Sequence, residues 1–248
     1  MAGASRCFAL VLLVGCATAG RDNNIFDTTD SGIVVLGDAD PSHPIDAARP
    51  IDARPIDAAP VPLTMMETTS QTVAQANSFS CNAANVTSGQ NSYYRVFTLS
   101  DYQVSDIFHV NNVTFAVETA VGQGGTQPAT INLGTYTGAL GGTTLDTAQI
   151  TPLTSAPISI PNSTGGTVST PITADVAPGS SLIVEIRVPD GAATSDEFFI
   201  GSNNGGESKP VYILAPSCAL NAPTTMASIA AANMLPEPDV VLTVSGTH

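Results

Sequence analysis

The sequence predicts an all-β fold, an antiparallel β-sandwich of the jelly-roll type, with one short helix near the C-terminus and a disordered N-terminal tail. Three observations support this fold class. Short apolar runs recur from about residue 78 onward, between clusters of Gly, Asn, Pro and Ser. Several runs alternate apolar with polar residues, as strands with one buried and one solvated face do. Nine such runs with frequent turn signals are typical of a sandwich or jelly roll.

The chain begins with a segment that has the layout of a secretory signal. Arg6 supplies a positive start, and residues 8–14 form an apolar core that is too short to span a membrane. The segment ends in Leu13-Val14-Gly15-Cys16, which resembles the lipobox of bacterial lipoproteins. This resemblance implies that residues 1–15 are removed and that the Cys16 thiol carries a lipid.

The same resemblance predicts where the protein is held. A lipid on Cys16 would anchor it to a membrane, because two or three acyl chains give stable attachment. Ala17 follows Cys16 where an Asp would resemble an inner-membrane retention signal, which favours the outer membrane, with the domain on the periplasmic side or at the cell surface. The alternative is an ordinary signal peptide cleaved near residues 17–19, which would leave Cys16 incidental.

Residues 16–76 are predicted to be a disordered, Pro-rich spacer. A Pro-Ile-Asp-Ala motif repeats from Pro44, and six prolines lie between Pro41 and Pro62. Proline at this spacing removes backbone donors and disfavours helix, so the segment should extend like polyproline. Such repeats resemble the spacers of surface lipoproteins in some Gram-negative bacteria with large genomes.

Residues 77–248 are predicted to form the sandwich domain. The run 181–188 alternates particularly clearly, with Glu185 and Arg187 on the solvated face. A two-turn helix is expected over 225–232, capped by Thr224 or Thr225. The nine candidate strands are 92–99, 112–119, 129–137, 148–153, 167–175, 181–188, 197–201, 211–215 and 239–245.

Two cysteines remain in the predicted domain, Cys81 and Cys218, and they should be in an oxidising compartment. We therefore expect a disulfide between them, which would join the start of the domain to its last loop. Two buried free thiols are the alternative.

The charged residues of the domain allow two interpretations. One is a structural ion pair on a sheet face, in which Arg95 or Arg187 pairs with Glu118 or Glu185. The other is a Ca²⁺ site in the loop at one end of the sandwich, where hard oxygen ligands come from the carboxylates of Asp190, Asp196 and Glu197.

Composition and motifs argue against several classes of function. The chain has 7 Lys and Arg against 21 Asp and Glu, a net charge of −14, which disfavours nucleic acid as a partner. No zinc-protease, nucleophile-elbow or nucleotide-binding motif is present, and His109 is expected to be a surface or edge residue. We therefore expect a non-enzymatic protein with no cofactor other than a possible Ca²⁺.

Three segments of the domain carry a diffuse resemblance to an accessory domain of secreted bacterial proteins. They are Asn91-Ser92-Tyr93-Tyr94-Arg95-Val96-Phe97, Val113-Thr114-Phe115-Ala116-Val117-Glu118 and Phe198-Phe199-Ile200-Gly201-Ser202-Asn203. Such domains often accompany extracellular peptidases or occur alone on anchored proteins. The resemblance supports the fold and implies no catalytic residues.

These features predict a lipid-anchored cell-envelope protein that displays its sandwich for adhesion or protein interaction. Its partner would be an extracellular or periplasmic protein or glycan. One alternative is an accessory domain that works with a secreted peptidase, and an unrecognised hydrolase with paired carboxylates such as Asp190 and Asp196 is another. A third is a carbohydrate-binding module, for which the aromatic platform would come from Tyr93, Tyr94, Tyr102 and Tyr136.

Overall fold

The computed structural model of the protein describes residues 59–83 and 87–248. The signal segment, Cys16 and the Pro-Ile-Asp-Ala repeat lie outside these residues. Within them, the chain forms an antiparallel β-sandwich with one α-helix, α1 (Met226–Asn233), which confirms the predicted fold class. In the part of the chain that is described, no helix is both long and apolar enough to cross a membrane.

The described residues contain fifteen strands, most of them in two main sheets. In chain order they are β1 (Pro62–Met66), β2 (Asn82–Ala83), β3 (Thr87–Ser88), β4 (Asn91–Thr98), β5 (Phe108–Val121), β6 (Thr126–Tyr136), β7 (Ile150–Pro161), β8 (Ser163–Val176), β9 (Ser181–Val188), β10 (Glu197–Ile200), β11 (Ser202–Asn203), β12 (Val211–Ala215), β13 (Leu220–Thr225), β14 (Asp239–Val240) and β15 (Leu242–Thr247).

One main sheet has six strands in the order β13-β12-β4-β9-β6-β7. The other has five strands, in which β5 pairs with β8 along one side and with β15 and β10 along the other, and β1 adds to β15. From β4 to β10 the chain passes repeatedly between the two sheets, as in a jelly roll. Two short pairs, β2 with β3 and β11 with β14, complete the pairing.

The core lies between the two sheets and follows the alternation of the sequence. On β9, Leu182, Val184 and Ile186 are buried against the opposite sheet. On β5, the alternation changes parity between Val110 and Val113, and the register against β8 shifts at the same place. A bulge there keeps both valines facing the core, because one extra residue reverses the side on which the following side chains point.

Several strand predictions agree closely with the structure. The bounds of β9 and β12 are those predicted, and α1 begins after Thr225, whose side chain accepts a hydrogen bond from the Ser228 amide. By contrast, β7 and β8 are longer than expected, and the predicted turn at Gly165-Gly166 lies inside β8. These two strands are rich in Thr, Ser and Pro, so little apolar alternation marks them.

The predicted start of the domain at residue 77 is wrong. Strand β1 pairs antiparallel with β15 from Pro62 to Met66, and Met65 is 0% exposed in the core. The prediction failed because β1 has only five residues and directly follows the prolines of the spacer. Proline at the first position of an edge strand is compatible with a sheet, since no ladder hydrogen bond is lost there.

The predicted disulfide is confirmed. Cys81 and Cys218 are bonded, with their Cα atoms 5.8 Å apart and 137 residues of sequence between them. The bond connects the segment before β4 to the turn between β12 and β13, so it ties the start of the domain to a late loop.

Candidate functional site

Polar side chains gather on the outer face of the six-stranded sheet, the face that points away from the core. Tyr94 on β4 lies opposite Glu185 on β9, and Glu185 lies opposite Asn132 on β6. All three positions alternate with core residues of their strands, so the three side chains form one row across the sheet. We call Tyr94, Glu185 and Asn132 the carboxylate row.

Hydrogen bonds hold the carboxylate of Glu185 in place. The Tyr94 hydroxyl donates to Oε1 at 2.9 Å, and the Asn132 amide nitrogen donates to Oε2 at 2.8 Å. Burial raises the pKa of Tyr94 well above its usual value, and the negative charge of Glu185 raises it further. Tyr94 therefore stays protonated and acts as a donor throughout the neutral pH range.

A second polar row lies two residues further along the same face. It consists of Ser92, Arg187 and Thr130, which lie opposite one another on β4, β9 and β6, and we call it the arginine row. Ser92 is 1% exposed, and its hydroxyl has no hydrogen-bond partner among the described residues. Arg187 is exposed and takes part in no ion pair within residues 59–83 and 87–248.

Each row opens into a groove on this face. The groove at the carboxylate row has a volume of about 330 Å³, and its rim includes Ile150, Pro152 and Leu153 of β7. The groove at the arginine row has a volume of about 560 Å³ and is lined by residues 128–130, 157–159, 187 and 189. Since the two rows are adjacent along β6 and β9, the grooves together offer an acceptor-rich end and a cationic end.

Apolar side chains cover the opposite part of this face. Val96, Ile183 and Tyr212 pack there with Tyr136 and Leu145 in a second apolar cluster. Leu145 comes from the connection between β6 and β7, which folds back over the sheet. A cavity of about 580 Å³ opens beside this cluster, and its lining includes Tyr136, Leu145 and Leu214 but no residue of the two polar rows.

The predicted ion pairs on a sheet face are wrong. Arg95 points into the core at 0% exposure and pairs with Glu207 at 2.6 Å, while its guanidinium also donates to the backbone carbonyls of Lys209 and Val240. Glu118 accepts a hydrogen bond from the Ala76 amide. Of the four residues predicted to form a structural ion pair, only Glu185 and Arg187 share a face, and they form no salt bridge with each other within the described chain.

The predicted Ca²⁺ ligands do not converge. Asp190 accepts a hydrogen bond from the Ala192 amide, and Asp196 is buried and accepts one from the Gln123 amide. Glu197 lies at the start of β10. Each of the two aspartates thus stabilises a turn or a loop contact, and the three residues form no cluster of ligand atoms among the described residues.

A different trio of carboxylates, Glu207, Glu237 and Asp239, brings ligand atoms within 4.8 Å of one another. This cluster already contains a cation, because Arg95 pairs with Glu207, and Asp239 accepts a hydrogen bond from the Gly206 amide. Burial raises the pKa of Glu207, and the charge of Arg95 partly offsets this effect. The cluster fixes the 205–211 loop against the end of the core.

The tyrosines do not form the predicted aromatic platform for a sugar. Tyr93, Tyr94, Tyr136 and Tyr212 are buried. Tyr102 is half-buried, and its hydroxyl lies 2.7 Å from the Met66 carbonyl oxygen and 2.9 Å from a Glu67 carboxylate oxygen, either of which can accept its hydrogen. His109 is exposed as predicted and pairs with Asp175 at 2.7 Å on the other sheet.

A third, largely apolar groove of about 680 Å³ lies between α1 and the segment around the disulfide. Phe79, Phe199, Ile229 and Leu235 line it together with both disulfide cysteines. The neighbouring Met234 is 94% exposed. This groove is separate from the two polar rows in its lining residues and in its chemistry.

Sequence reasoning missed Ser92, Thr130 and Asn132 as site residues. A signal for them exists, because each is a polar residue at a strand position that alternates with core residues. The strands that bring them together are far apart in sequence, so only the pairing of β4, β9 and β6 shows that they are neighbours.

No protein-family model matches the chain, and no curated protein matches it either. Two solved structures are similar to it. The cysteine protease and lectin-like domains of Cwp84, a surface layer associated protein of Clostridium difficile, match at 16% identity and a TM-score of 0.43, over 64% of this chain and 32% of that chain. Clostridial cysteine protease Cwp84 after propeptide cleavage matches at 15% identity and a TM-score of 0.47, over 75% of this chain and 40% of that chain. The chain thus spans well under half the length of either.

Proposed function

We propose that this chain is a non-enzymatic, lipid-anchored cell-envelope protein whose sandwich binds carbohydrate and so serves adhesion. The carboxylate row carries this proposal. Glu185, held by Tyr94 and Asn132, is an oriented hydrogen-bonding group at the floor of an open groove.

The polar rows match the hydrogen-bonding needs of sugars. Each sugar hydroxyl can donate and accept, so a binding face must offer both kinds of partner. Glu185 has lone pairs beyond those used by Tyr94 and Asn132, the Asn132 amide offers a further donor and an acceptor, and Arg187 offers several donors. Because Glu185 is already fixed by its neighbours, little side-chain freedom is lost when a ligand binds.

The apolar rim supplies the other requirement for sugar binding, a surface for the C–H faces of the rings. Pro152 and Leu153 line the groove at the carboxylate row, and Pro157 lines its neighbour. Since the tyrosines are buried, hydrogen bonds and proline or leucine contacts would replace stacking on aromatic rings. The site would therefore be selective for hydroxyl geometry.

The N-terminal sequence supports the adhesive role. The lipobox-like quartet that ends at Cys16 would fix the chain to the outer membrane. A polyproline-like spacer from Pro41 to Pro60 would reach on the order of 60 Å, at about 3.1 Å per residue. A domain held at that distance would meet glycans beyond the membrane surface.

Glycan-array binding of the full-length chain, purified in detergent, tests the proposal. We expect binding to at least one class of oligosaccharide, and we expect Glu185→Gln and Asn132→Ala to weaken it by about ten-fold or more, as the loss of a hydrogen bond to a charged group does. The matched control is Glu197→Gln, which removes the same charge from the other sheet. An array without binding above background would contradict the proposal, and turnover of the bound glycan would contradict its non-enzymatic part.

A further inference from the structure

We propose that the arginine row is a subsite for a carboxylate, so that the preferred ligand is a glycan that contains a uronic acid or another acidic sugar. This inference rests on the proposed function and names its ligand class. The sugar carboxylate would be bound by Arg187, and neighbouring hydroxyls would be bound at the carboxylate row.

The cations of the described residues differ in whether a carboxylate of the chain neutralises them. The described part of the chain has three, Arg95, Arg187 and Lys209. Arg95 pairs with Glu207 at 2.6 Å, and Lys209 pairs with Asp101 at 2.8 Å. Arg187 forms no ion pair within the described residues, although the chain carries a large excess of carboxylates. Its guanidinium is therefore available to an external anion.

The groove around Arg187 is lined by rigid and uncharged neighbours. Three prolines at positions 128, 157 and 189 form its walls, and Thr130 and Ser159 add neutral hydroxyls. Among the described residues, no carboxylate lines this groove. An anion can therefore enter it without direct repulsion, and the planar guanidinium can bind a carboxylate through two parallel hydrogen bonds.

The spacing of the two rows favours an acidic sugar over an acidic peptide. Glu185 and Arg187 are two residues apart on one strand, so their positions are about 7 Å apart along the sheet. A carboxylate bound by Arg187 would place adjacent ring hydroxyls toward Glu185, which accepts hydrogen bonds. A peptide of consecutive acidic residues would instead place a second carboxylate beside Glu185 and be repelled.

Matched pairs of oligosaccharides test the inference. The probes are tetrasaccharides of hyaluronan and of unsulfated chondroitin, in which uronic acids alternate with uncharged sugars. Each is compared with its carboxyl-reduced form, in which a hydroxymethyl group replaces each carboxylate. Isothermal titration with the full-length chain should show at least one acidic tetrasaccharide that binds about ten-fold or more tightly than its reduced partner. This preference should decrease as salt is raised, because the site is exposed.

Variants assign the preference to Arg187. Arg187→Gln should remove the difference in affinity between the acidic and reduced forms, and Arg187→Lys should restore only part of that difference. Lys209→Gln, which removes a cation outside the two grooves, should leave both affinities unchanged.

Each remaining outcome is decisive. Equal binding of the acidic and reduced forms would overturn this inference and leave the proposed function standing. Absence of binding by every tetrasaccharide, together with a blank glycan array, would overturn both. Binding of a hexaglutamate peptide through Arg187, without any acidic glycan, would show that the subsite serves a protein ligand and would also refute the inference.

Discussion

Arg95 shows how a single charged residue can be part of the core. It lies at 0% exposure and is neutralised by Glu207, with two backbone carbonyls as further partners. Removing one partner of a buried pair leaves the other charge without compensation, which costs about 3–5 kcal/mol. We expect Arg95→Met to lower the free energy of unfolding by that amount, measured by urea denaturation.

A second variant distinguishes this loss of charge from a loss of packing. Adding Glu207→Gln to Arg95→Met removes the uncompensated carboxylate, so it should recover part of the lost stability. If the double variant is no more stable than Arg95→Met alone, the buried charge is not the cause.

The raised pKa values of Tyr93 and Tyr94 lead us to expect that the free energy of unfolding decreases at alkaline pH. Burial raises the pKa of both hydroxyls well above the ordinary value, so the folded state keeps protons that the unfolded chain releases above about pH 10. Because the folded state binds more protons there, stability is unaffected below pH 10 and falls above it. Each tyrosine contributes about 1.4 kcal/mol of loss per pH unit, hence about 3 kcal/mol for the pair.

Urea unfolding at pH 9, 10 and 11 measures this slope. Tyr94→Phe should make it shallower, since one titrating group is removed. Absorbance at 295 nm that shows all five tyrosines ionising near pH 10 in the folded protein would contradict the prediction.

For charged residues on strands, the sequence predicts which face of the sheet a residue occupies better than it predicts which residue that side chain contacts. The alternation in 181–188 places Glu185 and Arg187 on the solvated face, where the structure has them. The partner of Arg95 could not be predicted, because Glu207 comes from a loop without periodicity, far along the chain. Contacts of this kind depend on strand pairing, which one sequence does not contain.

Strand β1 contributes to the core, although its sequence looks like a continuation of the Pro-rich spacer. Met65 is buried at 0% exposure, whereas its neighbour Met66 is 42% exposed. We expect Met65→Ala to lower the free energy of unfolding by about 2–5 kcal/mol, as burial of a methionine in a core implies. Met66→Ala is the matched control and should change it by less than about 0.5 kcal/mol. Equal effects in chemical denaturation would show that β1 is not part of the cooperative unit.

The disulfide is expected to stabilise the domain by restricting its unfolded chain. In the entropic description, closing a loop across 137 residues restricts the unfolded chain by about 5 kcal/mol. We expect the double variant Cys81→Ser/Cys218→Ser to lose up to about 5 kcal/mol in urea denaturation. A variant as stable as the oxidised protein would mean that the bond merely joins segments already held by β4 and β12.

Strand β9 was predicted to the residue, and the strands β7 and β8 were not. From Val184 to Val188 the sequence of β9 alternates apolar with charged residues, and its bounds agree with the prediction. The strands β7 and β8 extend through Thr, Ser and Pro because long partners, β6 and β5, hydrogen-bond to them along their whole length. Pairing with these partners therefore sets where β7 and β8 end, and the composition of the sequence does not mark those ends.

On the scale of the whole molecule, the proposed anchor, spacer and sandwich have separate roles that can be tested separately. In this proposal the polar rows would determine what is bound, whereas a lipid on Cys16 would determine where the domain is held. Since the folded unit already includes β1 at Pro62, a spacer that starts at Cys16 ends about fifteen residues earlier than the sequence suggested. Its Pro-Ile-Asp-Ala repeat lies wholly before β1, so shortening the repeat should change reach without changing stability.

The last prediction concerns attachment to the membrane. If the thiol of Cys16 carries the lipid, Cys16→Ser should move the protein from the membrane fraction to the soluble fraction, because the acyl chains that hold it there are lost. The affinity of the soluble variant for its glycan should be unchanged, since Cys16 lies far in sequence from both polar rows. Mass spectrometry of the native protein should find the added lipid mass on an N-terminal Cys16. An unmodified thiol there, or a membrane fraction unaffected by Cys16→Ser, would mean that the domain is released after cleavage of an ordinary signal peptide.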